Sequence, residues 1–259
     1  MDVGALLDWY AGVRRPLPWR FTRDPYALLV SEVMLQQTQA LRVVPYYERW
    51  LSRFPDVDAL ACAPVRDVLA LWSGLGYNRR ALALQRAAGV VAESGWPPDL
   101  TTLPGVGPYT AAAVSSFAWD VQVAAVDTNV RRVLSRRDGV VHSDRESAAR
   151  AASLLPAGRA AEFNQAMMEL GATVCRPRTP VCSDCPVAAG CHGPLPDAPR
   201  RRASVRFEDT DRWARGRVLA ALLEGSEPPV SGARLERALV GLERDGLIVR
   251  SPDGSAQLP

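Results

Sequence analysis

Leu103-Pro104-Gly105-Val106-Gly107-Pro108-Tyr109-Thr110 reads as a turn set between helices. Two glycines two residues apart let the backbone reverse tightly, and Pro108 suits the first turn of the helix that follows. Such a turn leaves backbone N–H groups exposed at a helix start, where they can hold a phosphate. Gly-x-Gly turns are common, so a plain helix–turn–helix joint is the competing reading.

The sequence on either side repeats this grammar. Asp24-Pro25 pairs an N-cap with proline at the first helical position, and Leu28, Leu29, Val33, Met34 and Leu35 recur at helical spacing. Further helices are predicted over 56–62, 65–72, 80–94, 109–117, 129–137, 146–155 and 163–173, joined by Pro/Gly turns. The Val-rich stretch 121–126 has strand propensity, but nothing nearby would pair with it. The main body is therefore all-α. Residues 194–204 shift in composition and include Pro199-Arg200-Arg201-Arg202, a linker that either touches phosphates or is a solvated basic connector. Beyond it, helices over 209–224 and 233–244 precede a candidate hairpin, 246–250 with 256–258 around Asp253-Gly254. Helix, helix, hairpin is the order of a small winged-helix-like module.

Composition narrows the class. A chain of 259 residues, 47% hydrophobic and 23% charged, can bury a core and is not a disordered polymer. No apolar run approaches the ~18 residues of a membrane span. The first residues lack the basic and apolar blocks of a signal peptide, so a cytoplasmic, nucleoid-associated prokaryotic protein is expected. The 31 basic residues are all arginine. No lysine is present to act as a Schiff-base nucleophile. A net charge of +3 permits nucleic-acid binding without establishing it.

Four cysteines crowd together as Cys175-x6-Cys182-x2-Cys185-x5-Cys191. In a reducing compartment such a cluster points to a metal centre, and spacing alone leaves zinc and a 4Fe–4S cluster comparable. Cys62, isolated in an Ala-rich stretch, is expected to be a small buried hydrophobe.

Two carboxylates invite a chemical reading. Glu32 has Leu28, Leu29 and Leu35 as helical neighbours, and a carboxyl held against apolar side chains has the raised pKa a general acid needs. The bland alternative is a Glu at the edge of an amphipathic helix. Asp127, in Ala125-Val126-Asp127-Thr128-Asn129, opens a helix and could be a simple N-cap. Gln36, Gln37, Thr38 and Gln39 follow Glu32 as a polar run able to satisfy base edges or phosphates.

Six separated motifs then occur in order: Leu17-Pro-Trp-Arg20, Ser31-Glu-Val-Met-Leu-Gln-Gln-Thr38, Gly74-Leu-Gly-Tyr77, Leu103-Pro-Gly-Val-Gly107, Val126-Asp-Thr-Asn129 and Phe163-Asn-Gln-Ala-Met-Met-Glu-Leu-Gly171. Over roughly residues 8–195 the chain closely resembles the MutY family, the adenine DNA glycosylases of the helix-hairpin-helix (HhH-GPD) superfamily. The resemblance implies an HhH-GPD glycosylase over 1–195, with a six-helix lobe at about 23–125, an iron–sulfur lobe from 1–22 and 126–195, and a linker with a C-terminal module over 196–259. It implies a monofunctional enzyme of base excision repair, a monomer acting on double-stranded DNA without membrane association. The enzyme would release adenine mispaired with 8-oxoguanine or G after flipping it from the duplex.

Residue by residue, the same resemblance implies that Glu32 protonates adenine, Asp127 stabilises the sugar oxocarbenium ion and Asn129 orients Asp127. Tyr109 stands where endonuclease III has a catalytic lysine. Trp19, Arg20, Leu35 and Glu169 would line the adenine pocket, and Arg15 would support the distorted strand. Gln36, Gln37, Thr38, Leu75 and Tyr77 would engage the 8-oxoguanine side, with Tyr77 as a wedge, while Gly105, Val106 and Gly107 grip phosphate. Cys175, Cys182, Cys185 and Cys191 would hold a 4Fe–4S cluster, lowering the net charge from +3 to roughly +1. One departure stands out. Relatives usually carry a C-terminal Nudix-like domain that inspects 8-oxoguanine, whereas only 68 residues follow Cys191 here, with no histidine after His192. A G:T mismatch thymine glycosylase and a non-catalytic iron–sulfur DNA sensor are the alternatives.

Overall fold

Asp24 receives the backbone N–H groups of Tyr26 and Ala27, at 3.0 and 3.3 Å, and starts a helix on Pro25 as its sequence requires. The computed structural model describes residues 1–195, 205–251 and 254–259. The arginine run of the linker and Asp253 of the hairpin turn lie outside the described residues. The helices are α1 (Val3–Val13), α2 (Pro25–Leu35), α3 (Ala40–Arg53), α4 (Val57–Ala61), α5 (Val65–Trp72), α6 (Arg79–Ser94), α7 (Pro108–Trp119), α8 (Thr128–Asp138), α9 (Asp144–Ala152), α10 (Ala160–Thr173), α11 (Asp211–Glu224) and α12 (Gly232–Arg244). Strands β1 (Val249–Arg250) and β2 (Ala256–Gln257) pair antiparallel, Val249 opposite Gln257. The all-α body and the helix–helix–hairpin tail are as expected, and 121–126 is not a strand.

Two helices were not singled out from sequence. In α3, Pro45 sits in the interior, where it removes a backbone bond, yet Val43, Tyr47 and Trp50 bury one face and hold the helix together. Helix α1 buries Leu6, Leu7 and Tyr10. Helix α9 starts two residues before 146, because Ser143 and Glu146 form a reciprocal capping box, and it ends at Ala152 rather than 155. Cys62 is exposed, contrary to expectation: α4 is a five-residue helix and Cys62 terminates it on the solvent side.

The chain forms two compact units. The first comprises Met1–Glu32, Asp99–Thr101 and Val106–Pro199. Its core gathers Leu6, Leu7 and Tyr10 of α1 with Val130, Val133 and Leu134 of α8 and Phe163, Met167 and Leu170 of α10. A smaller cluster joins Leu28 of α2 to Ala113 and Phe117 of α7. The second comprises Val33–Pro98, Thr102–Gly105 and Arg200–Pro259. Trp50 lies edge-on to both Phe54 and Trp72, with ring centroids 5.2 and 5.4 Å apart. Within it, α11 packs on α12 and on α5, and Arg66 of the α5 start donates to the Leu223 carbonyl at 2.5 Å. No described helix is long and apolar enough to cross a membrane.

Candidate active site and cysteine cavity

Glu32, on the last turn of α2 within the first unit, is 5% exposed. Burial pushes its carboxyl up to about 7, the Tyr109 hydroxyl donates a hydrogen bond that partly opposes this, and the Asp127 charge raises it further. The same surroundings push the Tyr109 phenol well above its ordinary range, so Tyr109 is a hydrogen-bond donor near neutrality. Sequence alone offered Glu32 as an apolar-flanked carboxyl; packing lifts its titration to about 7, so its protonated and ionised forms are both populated at neutral pH.

Both carboxylate oxygens of Asp127 are engaged at the helix start it opens. It is the N-cap of α8, its Oδ1 accepting from Val130 N at 2.7 Å. Its Oδ2 accepts from Asn129 Nδ2 at 2.8 Å, so the carboxylate is locked in orientation. Two residues that sequence reasoning left without a role support it. Arg132 donates to Asn129 Oδ1 at 2.8 Å, to the Gly171 carbonyl at 2.7 Å and to the Cys175 carbonyl at 2.9 Å. Asn164, 1% exposed, donates to Ser116 Oγ and the Val123 carbonyl and accepts from Ala125 N, pinning the extended stretch that delivers Asp127. An asparagine between Phe163 and Gln165 on a helix otherwise facing the core was the available signal. Gly171 is equally constrained: a Cβ there would lie 2.6 Å from Asn129 Cβ, so only glycine lets α10 approach the start of α8 this closely.

Glu169 is fully buried and takes two cations. Arg15 grips both carboxylate oxygens, through Nε to Oε1 at 2.8 Å and Nη2 to Oε2 at 2.9 Å, and Arg20 Nη2 also donates to Oε2. Burial pushes the Glu169 carboxyl up, but the two guanidinium groups outweigh it and hold it below the ordinary range. The triad carries a net positive charge, and Trp19 is buried in the short turn that supplies Arg20.

In the second unit, a cleft of about 1020 Å³ gathers Gln36, Gln37, Leu75, Tyr77 and Gly105. Leu35 and Thr38 do not line it; the Thr38 hydroxyl turns back to the Gln36 carbonyl at 3.3 Å. Arg80 builds this place. Its guanidinium donates to the carbonyls of Val33 and Gln36 at 2.7 and 2.6 Å and of Gly76 at 2.9 Å, tying the end of α2 to the 74–77 turn. Gln37 and Tyr77 both sit at positive φ, 59° and 51°, a strained conformation for residues with side chains. Gly105 also has positive φ, and a Cβ there would meet Ala83 Cβ at 2.7 Å. Gly107 caps α7, and Val106 is buried beside it.

Cys175, Cys182, Cys185 and Cys191 line a cavity of about 110 Å³ in the first unit. Among the described residues no three such ligands converge as for a single metal ion. Arg136 borders the cavity, Nη1 lying 3.5 Å from Cys175 Sγ, and is fixed by the carbonyls of Arg176 and Pro177 at 2.7 and 2.6 Å. Gly193 N donates to Cys191 Sγ at 3.4 Å. Four thiols around one cavity, with an N–H donor and a cation at the sulfurs, fit an anionic iron–sulfur cluster.

Comparison with known proteins agrees with the class this fold and site define. Residues 30–157 match the HhH-GPD superfamily of base excision DNA repair proteins. The adenine DNA glycosylase of Mycobacterium tuberculosis is 43% identical over 98% of this chain and 92% of its own length. That of Mycolicibacterium smegmatis is 41% identical over 96% and 93%. A thermostable thymine-DNA glycosylase superposes with a TM-score of 0.68 at 32% identity, over 73% of this chain and 93% of its own. The chain belongs to the adenine DNA glycosylase (MutY) family of HhH-GPD base excision repair enzymes. The mycobacterial similarity covers 98% and 96% of this chain, so it reaches into the C-terminal module.

Proposed function

We propose that the protein removes adenine mispaired with 8-oxoguanine or G from double-stranded DNA, with Glu32 as general acid and Asp127 as the stabiliser of the sugar cation. The pairing of two carboxylates in unlike surroundings carries this reading. Glu32 near pH 7 gives its proton to the imidazole-ring nitrogen of a flipped adenine, and the Tyr109 hydroxyl supports the carboxylate that remains. The N-glycosidic electrons leave with the neutral base. The Asp127 side chain, held by Asn129, faces the oxocarbenium ion until water adds at the anomeric carbon. The products are free adenine and an abasic site. With no lysine in the chain, no lysine Schiff base forms and efficient strand cleavage is not expected.

Trp19, Arg20, Leu35 and Glu169 are assigned to the adenine side, with Arg15 fixing Glu169. Gln36, Gln37, Thr38, Leu75 and Tyr77 are assigned to the opposite base, and Gly105 to Gly107 to phosphate. Cys175, Cys182, Cys185 and Cys191 are assigned to a 4Fe–4S cluster, which when bound cross-links the 175–191 loop and takes no part in base release. The protein works as a cytoplasmic monomer. The decisive test is Glu32→Gln under single-turnover conditions. Base release should fall by at least ~10²–10⁴-fold while duplex binding persists; near-normal excision removes Glu32 from the mechanism. Anaerobically purified protein should be brown and contain four irons; a colourless protein with one zinc refutes the cluster assignment.

A further inference from the structure

The cleft that gathers Gln37 and Tyr77 has a second wall. Helices α11 and α12 of the C-terminal module close it, and the lining is almost entirely of one sign. Eight arginines face it, including Arg42, Arg79 and Arg86 from α3 and α6 and Arg212, Arg217 and Arg244 from the module. Among the described residues its single carboxylate is Asp245, already engaged by Arg215 at 3.0 Å and by Arg79 and Arg244 at 3.7 and 3.8 Å. Arg42, Arg86, Arg212 and Arg217 are exposed. Cations crowded this way repel one another, and a polyanion relieves the repulsion. Guanidinium forks match phosphate oxygens two at a time, which an ammonium cannot do.

One contact joins the module to the strained turn. Arg212 lies over the Tyr77 ring at 5.1 Å and over Phe207 at 4.9 Å, and it donates to the Tyr77 hydroxyl. Arg80 is 5.5 Å from the same ring. The module thus holds Tyr77, a residue at positive φ and 44% exposed, in one place. We infer that the cleft completed by the C-terminal module binds the sugar–phosphate backbone of the DNA strand that runs past Tyr77, with Arg212 as the positioning residue for that ring. This deepens the proposed function, because it takes the polyanion to be the strand opposite the target adenine.

The test is duplex binding by the full chain as a function of salt, in the Glu32→Gln background so that no turnover intervenes. Each phosphate contact contributes about 0.9 to the slope of log K against log salt. Arg212→Ala with Arg217→Ala should flatten the slope by about two and weaken binding on the order of tenfold. Arg212→Lys with Arg217→Lys should restore the slope, separating charge from folding. Arg86→Ala, on the opposite wall and away from the module's packing, should flatten it by about one. Arg237→Ala, an equal charge change on α12 outside the cleft, should do neither. Slopes for the cleft variants equal to that of Arg237→Ala overturn the inference, even if adenine release is normal. Flattened slopes in a chain whose unsubstituted form releases no adenine leave the cleft assigned and refute the proposed substrate instead.

Discussion

Replacing Glu32 by glutamine should stabilise the protein by an amount that grows from about pH 4.5 upward and is complete above about 7. The folded state holds the Glu32 proton up to about pH 7, whereas the unfolded chain releases it near 4.5. Between those values the native state binds more protons than the unfolded state, so stability falls as pH rises and is fully reduced above about 7. At ~1.4 kcal/mol per pH unit the gap amounts to about 3 kcal/mol. The carboxyl is buried, so solvent screening takes little from this figure. Glutamine keeps the shape, stays neutral and still accepts from Tyr109. Thermal unfolding of Glu32→Gln against the unsubstituted chain should show no difference at pH 4 and a gain of roughly 6–12 °C at pH 8. An offset equal at both pH values, or a loss that grows with pH, refutes a carboxyl kept protonated by burial.

Three further outcomes follow from the geometry. Asp127→Asn keeps a competent N-cap, so melting should change by less than ~1 kcal/mol while single-turnover base release drops at least ~10²-fold; calorimetry and a release assay read the two effects separately. Asn164→Ala strands the Ala125 N–H and the Val123 carbonyl, costing about 2–4 kcal/mol in denaturant unfolding and loosening the segment before Asp127. Glu169→Gln leaves Arg15 and Arg20 facing each other without their counter-ion and should cost about 3–5 kcal/mol by the same measurement.

How much of this was legible in the sequence depends on whether the cause was local. Asp24-Pro25 and the boundaries of α5 were legible because capping and periodicity are local properties. The carboxylates and cysteines were visible as residue types at telling spacings. Helix α3 was not, because Pro45 argues against a helix and only burial of Trp50 against Trp72 overrules it. Arg80 and Asn164 were not, because each acts on carbonyls or amides distant in sequence, and nothing in a single chain reports those partners. The arginine cleft is the plainest case: its members are spread from Arg42 to Arg244 and become one surface only when the tail packs beside α5. Cys62 shows the reverse error, an apolar neighbourhood in sequence that is solvent-facing in space.

The most direct measurement is single-turnover base release by the full chain on three duplexes, carrying A opposite 8-oxoguanine, A opposite G and T opposite G. Adenine release that is fastest opposite 8-oxoguanine, slows as pH rises through about 7 and leaves the strand uncut is the expected result. Release of thymine in place of adenine, or duplex binding with no release of either base, would contradict it.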